Sequence, residues 1–204
     1  MLHLMPGDIA KRRFSADEYQ LMGEAGILSA DDRVELIDGE VVEMTPIGTV
    51  HTSAVMRATS ALFQAAGTRA GVRVQSPIRL GNFSEPEPDL ALVRWRDDFY
   101  GTAHPGPDDV LLVIEMADTS LRYDRLIKVP LYARHGIVEY WLVDLTASAI
   151  TCYTSPHGDT YRKMSGHGPG ETLSPGSFPD IRIATNDLLN QPGSTQADSG
   201  LTDP

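Results

Sequence analysis

The chain has one cysteine, Cys152, so it can form neither an internal disulfide nor a multi-cysteine zinc cluster, and that thiol reads as buried filler. Long apolar runs are missing too. The longest, Val110 to Ile114, falls far short of the roughly 20 residues a membrane span needs, so no membrane partner is expected. The start, MLHLMPGD, lacks the charged-then-apolar order of a signal peptide, and a cytoplasmic location is the expectation. Positive charge is scarce: 17 Lys and Arg face 28 Asp and Glu, a net charge of -11 that denies nucleic acid a global electropositive footprint. Local patches remain, in Lys11-Arg12-Arg13 and in a rim of Arg69, Arg73, Arg79, Arg94 and Arg96. No internal repeat appears, and 204 residues at 41% hydrophobic suffice for one sizeable core. The expected organisation is an N-terminal arm (1–13), a single domain (14–190) and a disordered tail (191–204) rich in Pro, Gly, Ser, Thr and Asp.

What is present reads as a mixed α/β, or α+β, domain. Ser15 with Glu18 forms a capping box and Phe14 with Tyr19 has staple spacing, which predicts a helix from Ala16 to about Ala25, stopped by Gly26. RVELID and GEVVEM flank Asp38-Gly39, a strong hairpin signal. His51, Val55, Ala58 and Leu62 recur at helical spacing over 50–66. Strands fit 72–80, 89–93 and 110–116, the last apolar on both faces and therefore central. A helix over 122–134 is expected to kink or shorten at Pro130, and EYWLVD (139–144) then returns as a strand, which favours a parallel crossover. AITCYT and TYRKMS add an antiparallel pair around His157-Gly158.

The stretch EPEPDLALV, residues 85–93, sets acid directly before an apolar strand, and VLLVIEMAD ends another apolar strand in Glu115. A buried, unpaired carboxylate costs several kcal/mol, so Glu115 must be protonated, ion-paired or bound to a cation. If the two strands are antiparallel, Asp89 at the start of one lies beside Glu115 at the end of the other. Two carboxylates in one pocket repel unless a divalent cation neutralises them, and all-oxygen ligation suits Mg2+ or Mn2+.

Pro88-Asp89, Glu115 and the signature VIEMADTSLRYDRLIKVPLYARHGIVEYWLVD over 113–144 resemble the Uma-two family of restriction-endonuclease-like proteins, in the PD-(D/E)XK nuclease superfamily. The resemblance extends from about Phe14 to Ile183. It implies a restriction-endonuclease-like core, a central mixed sheet flanked by helices, here with an N-terminal helix and hairpin. It also implies Asp89 and Glu115, with the Met116 backbone carbonyl, as metal ligands. The usual lysine two residues after the glutamate is absent, since position 117 is Ala117; Lys128 on the next helix matches its displaced place. Asp124, Lys128 and Tyr132 are four apart and share a helix face, whose plain alternative is an ordinary Asp-Lys pair. Glu35 matches an extra acidic ligand or is an exposed hairpin glutamate. His51, in the first turn of its helix, where the dipole favours the neutral ring, is either a base or water-orienting group or a satisfied core histidine. Asp118, Thr119 and Ser120 form a capping loop, with Ser120 a donor behind the ligands. The loop from Arg94 to Pro107, with Trp95 and His104, covers the cleft, contacts DNA or simply connects strands.

The resemblance implies metal-assisted phosphodiester hydrolysis of DNA, with Lys128 positioning water or stabilising charge, in a homodimer suited to cutting two strands. The alternatives are a non-catalytic DNA-binding or regulatory module that retains the nuclease fold, and a metal-binding structural or interaction protein. No motif reads bases.

Overall fold

A computed structural model describes residues 11–29 and 31–189; residues 1–10 of the arm and the tail 191–204 lie outside the described residues. Helix α1 (Ala16–Glu24) starts on the expected capping box: the Ser15 hydroxyl accepts the Glu18 N–H at 3.2 Å and the Glu18 carboxylate accepts the Ser15 N–H at 2.9 Å. Strands β1 (Val34–Ile37) and β2 (Glu40–Glu43) form the hairpin, with Asp38 at φ 52° and Gly39 at φ 82°, the doubly left-handed turn that Asp-Gly supplies. Glycine is also required by space: a Cβ at Gly39 would lie 2.6 Å from the Arg13 Cβ.

After α2 (Thr49–Ala66) come β3 (Ala70–Val74), β4 (Leu90–Arg94), β5 (Val110–Ala117), β6 (Glu139–Asp144), β7 (Ala149–His157) and β8 (Thr160–His167). They form one six-stranded sheet in the order β3-β4-β5-β6-β7-β8, antiparallel except for the β5–β6 pair. All of β5 is buried, as its two apolar faces predict. One face of the sheet packs on α2 through Val55, Ala58 and Leu62, against Leu90, Leu112 and Ile114. Short β9 (Thr172–Leu173) and β10 (Ile183–Ala184) and the turn of helix α5 (Thr185–Leu188), not foreseen from sequence, close that layer.

The other face is covered by a helix in three parts, α3 (Leu121–Tyr123), a π-helical turn (Asp124–Lys128) and α4 (Val129–Arg134). The disturbance expected at Pro130 takes the form of this widened turn, in which the Val129 N–H reaches back to the Asp124 carbonyl. Leu131, Tyr132 and Ala133 then pack on Val113, Tyr140 and Leu142.

The strand expected over 72–80 stops at Val74. Gln75 takes the left-handed φ of 42°, which an extended strand does not accommodate, and its N–H turns to the Asp89 carbonyl at 2.9 Å.

Candidate active site

The antiparallel register pairs Leu90 with Ile114, which sets Asp89, just before β4, beside Glu115 on β5. Their side chains interlock with the backbone. The Asp89 N–H donates to Glu115 Oε2 at 3.1 Å, and the Met116 N–H donates to Asp89 Oδ2 at 2.9 Å. His51 on α2 holds the same Asp89 oxygen through Nε2 at 3.0 Å, and the Gln75 amide donates to Oδ1 at 3.3 Å.

The π turn supplies the cation. Lys128 Nζ lies 2.5 Å from Glu35 Oε2 and 3.4 Å from Glu115 Oε1, while the Tyr132 hydroxyl donates to Glu115 Oε1 at 2.8 Å. Glu35, on β1, also accepts the Tyr123 hydroxyl at 3.3 Å and the Glu87 N–H at 3.2 Å. Asp124 accepts the Ser120 hydroxyl at 2.6 Å. Glu35, Glu115, Asp124 and Lys128 are between 3% and 6% exposed, so this is a buried charge network rather than a surface ion pair.

These groups face a cavity of about 420 Å3 between the hairpin, the start of α2 and the Asp118–Ser120 loop. Glu35, Glu43, Glu87, Asp89, Glu115, Asp118 and Asp124 line it against the cations Arg33 and Lys128. Burial raises the Glu115 pKa; Lys128 opposes the rise, and Asp89, Asp124 and Glu35 add to it. Asp124 is raised by burial as well, against the Ser120 bond and Lys128. Burial alone would lower Lys128, but Glu115 and Glu35 outweigh it, and the side chain is held as an ammonium.

The helix end is not the only influence on His51. The bond to Asp89 at 3.0 Å raises its pKa against burial. Glu35 is buried, not an exposed hairpin glutamate. Ser120 stands at the helix N-cap position, but its hydroxyl makes no cap bond and turns to Asp124 instead. The Arg94–Pro107 loop leaves from the far end of β4 and contributes no lining residue to the cavity. Of the expected arginine rim, Arg69 pairs with Asp180, Arg79 with Asp17 and Arg96 with Asp98, while Arg73 and Arg94 donate to the backbone carbonyls of Pro77 and Asp108.

Sequence reading did not single out Arg33, Gln75, Glu87 or Tyr123. Glu87 sits in the acid-proline run already noticed, and Tyr123 adjoins Asp124 in the signature. Nothing local marks Arg33 or Gln75, whose roles depend on elements distant in sequence.

The donor set fits a hard divalent cation in kind, since the oxygens of seven carboxylates line the cavity against two cations. It is not assembled as a ligand cage: among the described residues no three His, Cys, Asp or Glu side chains are arranged to hold an ion. Each carboxylate oxygen of Asp89 and Glu115 accepts a protein donor that an ion would have to displace or share.

A six-stranded mixed sheet with helices on both faces places the chain in the mixed α/β class. The chain belongs to the Uma2 family, described as "Putative restriction endonuclease", whose profile matches residues 16–186. A crystal structure of a "putative nuclease belonging to DUF820" from Anabaena variabilis shares the fold with a TM-score of 0.65, at 15% identity, over 86% of this chain and 97% of that one. No curated protein matches the chain.

Proposed function

We propose that this chain is a divalent-cation-dependent endonuclease that hydrolyses phosphodiester bonds in DNA, with Asp89, Glu115 and Lys128 as its catalytic residues. The observation that carries the reading is the convergence of Asp89 and Glu115 on one cavity with the Lys128 ammonium 3.4 Å from Glu115. Asp89 and Glu115, with the Met116 carbonyl, would hold Mg2+ or Mn2+; bound there, such an ion lowers the pKa of water and neutralises phosphate charge. Lys128 takes the task of the lysine that Ala117 cannot provide, holding its charge where negative charge develops on the phosphate. Tyr132 and Glu35 fix the Glu115–Lys128 pair, while His51 and Gln75 aim the Asp89 carboxylate. A homodimer, which cutting both strands favours, belongs to the proposal.

One observation favours a second reading, a binding or regulatory module on the nuclease fold: the Asp89 and Glu115 oxygens are already satisfied by protein donors. Plasmid nicking separates the two. Purified protein with magnesium or manganese is expected to nick supercoiled plasmid, and chelation to stop it. Asp89→Asn and Glu115→Gln should abolish cleavage, and Lys128→Ala should reduce it by about 10²-fold or more. A wild type inert on plasmid, linear duplex and single strands alike would overturn the nuclease reading and favour the second.

A further inference from the structure

Arg33 is the second cation of the acidic cavity, and the chemistry proposed for Asp89, Glu115 and Lys128 leaves it without a task. It stands just before β1, where the Met44 N–H donates to its carbonyl at 2.7 Å and carries the hairpin ladder one residue beyond the Val34–Glu43 pair. Side chains alternate along a strand, so Arg33 lies on the face of Glu35, about 7 Å further along. Glu35 is buried and Arg33 only half-buried. Lys128 is held between Glu35 and Glu115. Arg33 has no such commitment: among the described residues its guanidinium makes no hydrogen bond and no ion pair, although seven carboxylates line the same cavity. Its charge is felt on two walls. Burial raises the Glu87 pKa and Arg33 is the charge that most opposes the rise, while at His51, raised by its bond to Asp89, Arg33 acts in the opposite sense.

We infer that Arg33 is a substrate-binding residue whose guanidinium grips a backbone phosphate next to the scissile one. The inference rests on the nuclease reading for the identity of the substrate, though not for its test. An anion that enters among seven carboxylates needs a positive charge that no carboxylate has already paired, and Arg33 carries one. The guanidinium suits a phosphate in particular, because its parallel N–H donors match two phosphate oxygens, and such a bidentate pair fixes orientation as well as adding energy. The position favours a neighbouring phosphate over the scissile one. The scissile group must meet Asp89, Glu115 and Lys128, whereas Arg33 lies a two-residue strand step from the Glu35 that holds Lys128. Phosphate contacts carry no sequence information, so Arg33 sets the register of the strand in the cavity and not the choice of base.

The test reads binding apart from cutting. Calcium replaces magnesium, since its looser geometry positions water poorly for hydrolysis, and labelled duplex and single-stranded oligonucleotides are titrated with the full chain by fluorescence anisotropy. Salt is varied from about 100 mM upward, where long-range repulsion is screened beyond about 10 Å. Arg33→Gln keeps the length of the side chain and removes its charge. It should weaken duplex binding roughly tenfold and make the fall of log affinity with log salt shallower by about 0.9, the share of one phosphate contact. Arg33→Lys keeps the charge without the planar fork, so it should retain the slope and recover only part of the affinity. Arg94→Gln removes the same charge from the exposed end of β4, away from the cavity, and should change neither quantity. Melting curves verify that the variants fold. Equal losses in Arg33→Gln and Arg94→Gln would assign the effect to net charge and overturn the inference; an unchanged slope in Arg33→Gln, or a wild type that binds neither oligonucleotide, would overturn it too. The two readings fail separately: a chain that binds DNA through Arg33 and cuts nothing refutes the nuclease, while one that nicks plasmid and keeps its affinity and slope in Arg33→Gln refutes the role of Arg33.

Discussion

At the scale of the residue, Lys128 is the group on which the site balances. Its ammonium is buried with Glu35 and Glu115 at 2.5 and 3.4 Å, and removing one partner of such a network leaves uncompensated charge in the interior, at a cost of about 3–5 kcal/mol. Lys128→Ala is therefore expected to lower the melting temperature as well as activity. A divalent cation would restore part of the missing positive charge, so the rise in melting temperature on adding magnesium or manganese should be larger in Lys128→Ala than in wild type. It should nearly vanish in Glu115→Gln, which loses a charged ligand. Thermal melts of the three proteins with and without the ion decide it. An equal shift in wild type and Glu115→Gln would remove Glu115 from the ion's site.

Among the elements, the π turn from Asp124 to Lys128 sets which residues the helix presents inward. It buries Asp124 and Lys128 and leaves Leu126 59% exposed, so the extra residue of the wide turn is carried on the solvent side. Deleting Leu126 should close the turn into an ordinary α-helical one. The packing of Leu131 and Tyr132 would hold α4 in place, and Asp124 and Lys128 would close from four residues apart to three, which displaces Tyr123 and Asp124 relative to the Lys128 ammonium. The deletion is expected to keep a cooperative melt and lose nicking; full activity would show that the π turn has no part in placing the site. This element also marks where sequence reading stops. The capping box, the Asp-Gly hairpin, α2 and β5 follow from local codes within a few residues, and Asp89 and Glu115 could be paired because strand order makes them neighbours. Pro130 announced a disturbance, but a kink, a break and a widened turn all relieve the same missing donor. The left-handed Gln75 and the Tyr123–Glu35 bond join segments that no local pattern connects.

For the whole molecule, the question is how an acidic chain sustains its fold and approaches a polyanion. Glu139, away from the site, shows how buried acid bears on stability. It accepts the Trp141 indole N–H at 2.7 Å and the Gly176 N–H at 2.6 Å, yet burial outweighs both and raises its pKa. A carboxylate raised in the folded state contributes stability that is complete below its unfolded pKa, about 4.3, and is lost as pH rises through the folded value. Glu139→Gln should therefore flatten the decline in melting temperature above that pH, and an unchanged slope would show that Glu139 does not produce it. The same excess of acid governs the encounter with DNA. With a net charge of -11 and with Arg69, Arg79 and Arg96 each paired with an acid, the chain repels DNA at long range. At about 10 mM monovalent salt that repulsion reaches roughly 30 Å, and at 100 mM about 10 Å, whereas phosphate contacts inside the cavity are lost to salt only through counterion release. Nicking at fixed, low magnesium is accordingly expected to rise with added salt, pass through a maximum and then fall. A rate that falls steadily from the lowest salt would mean that cavity cations such as Arg33 outweigh the charge of the whole molecule, and Arg33→Ala should then flatten the curve.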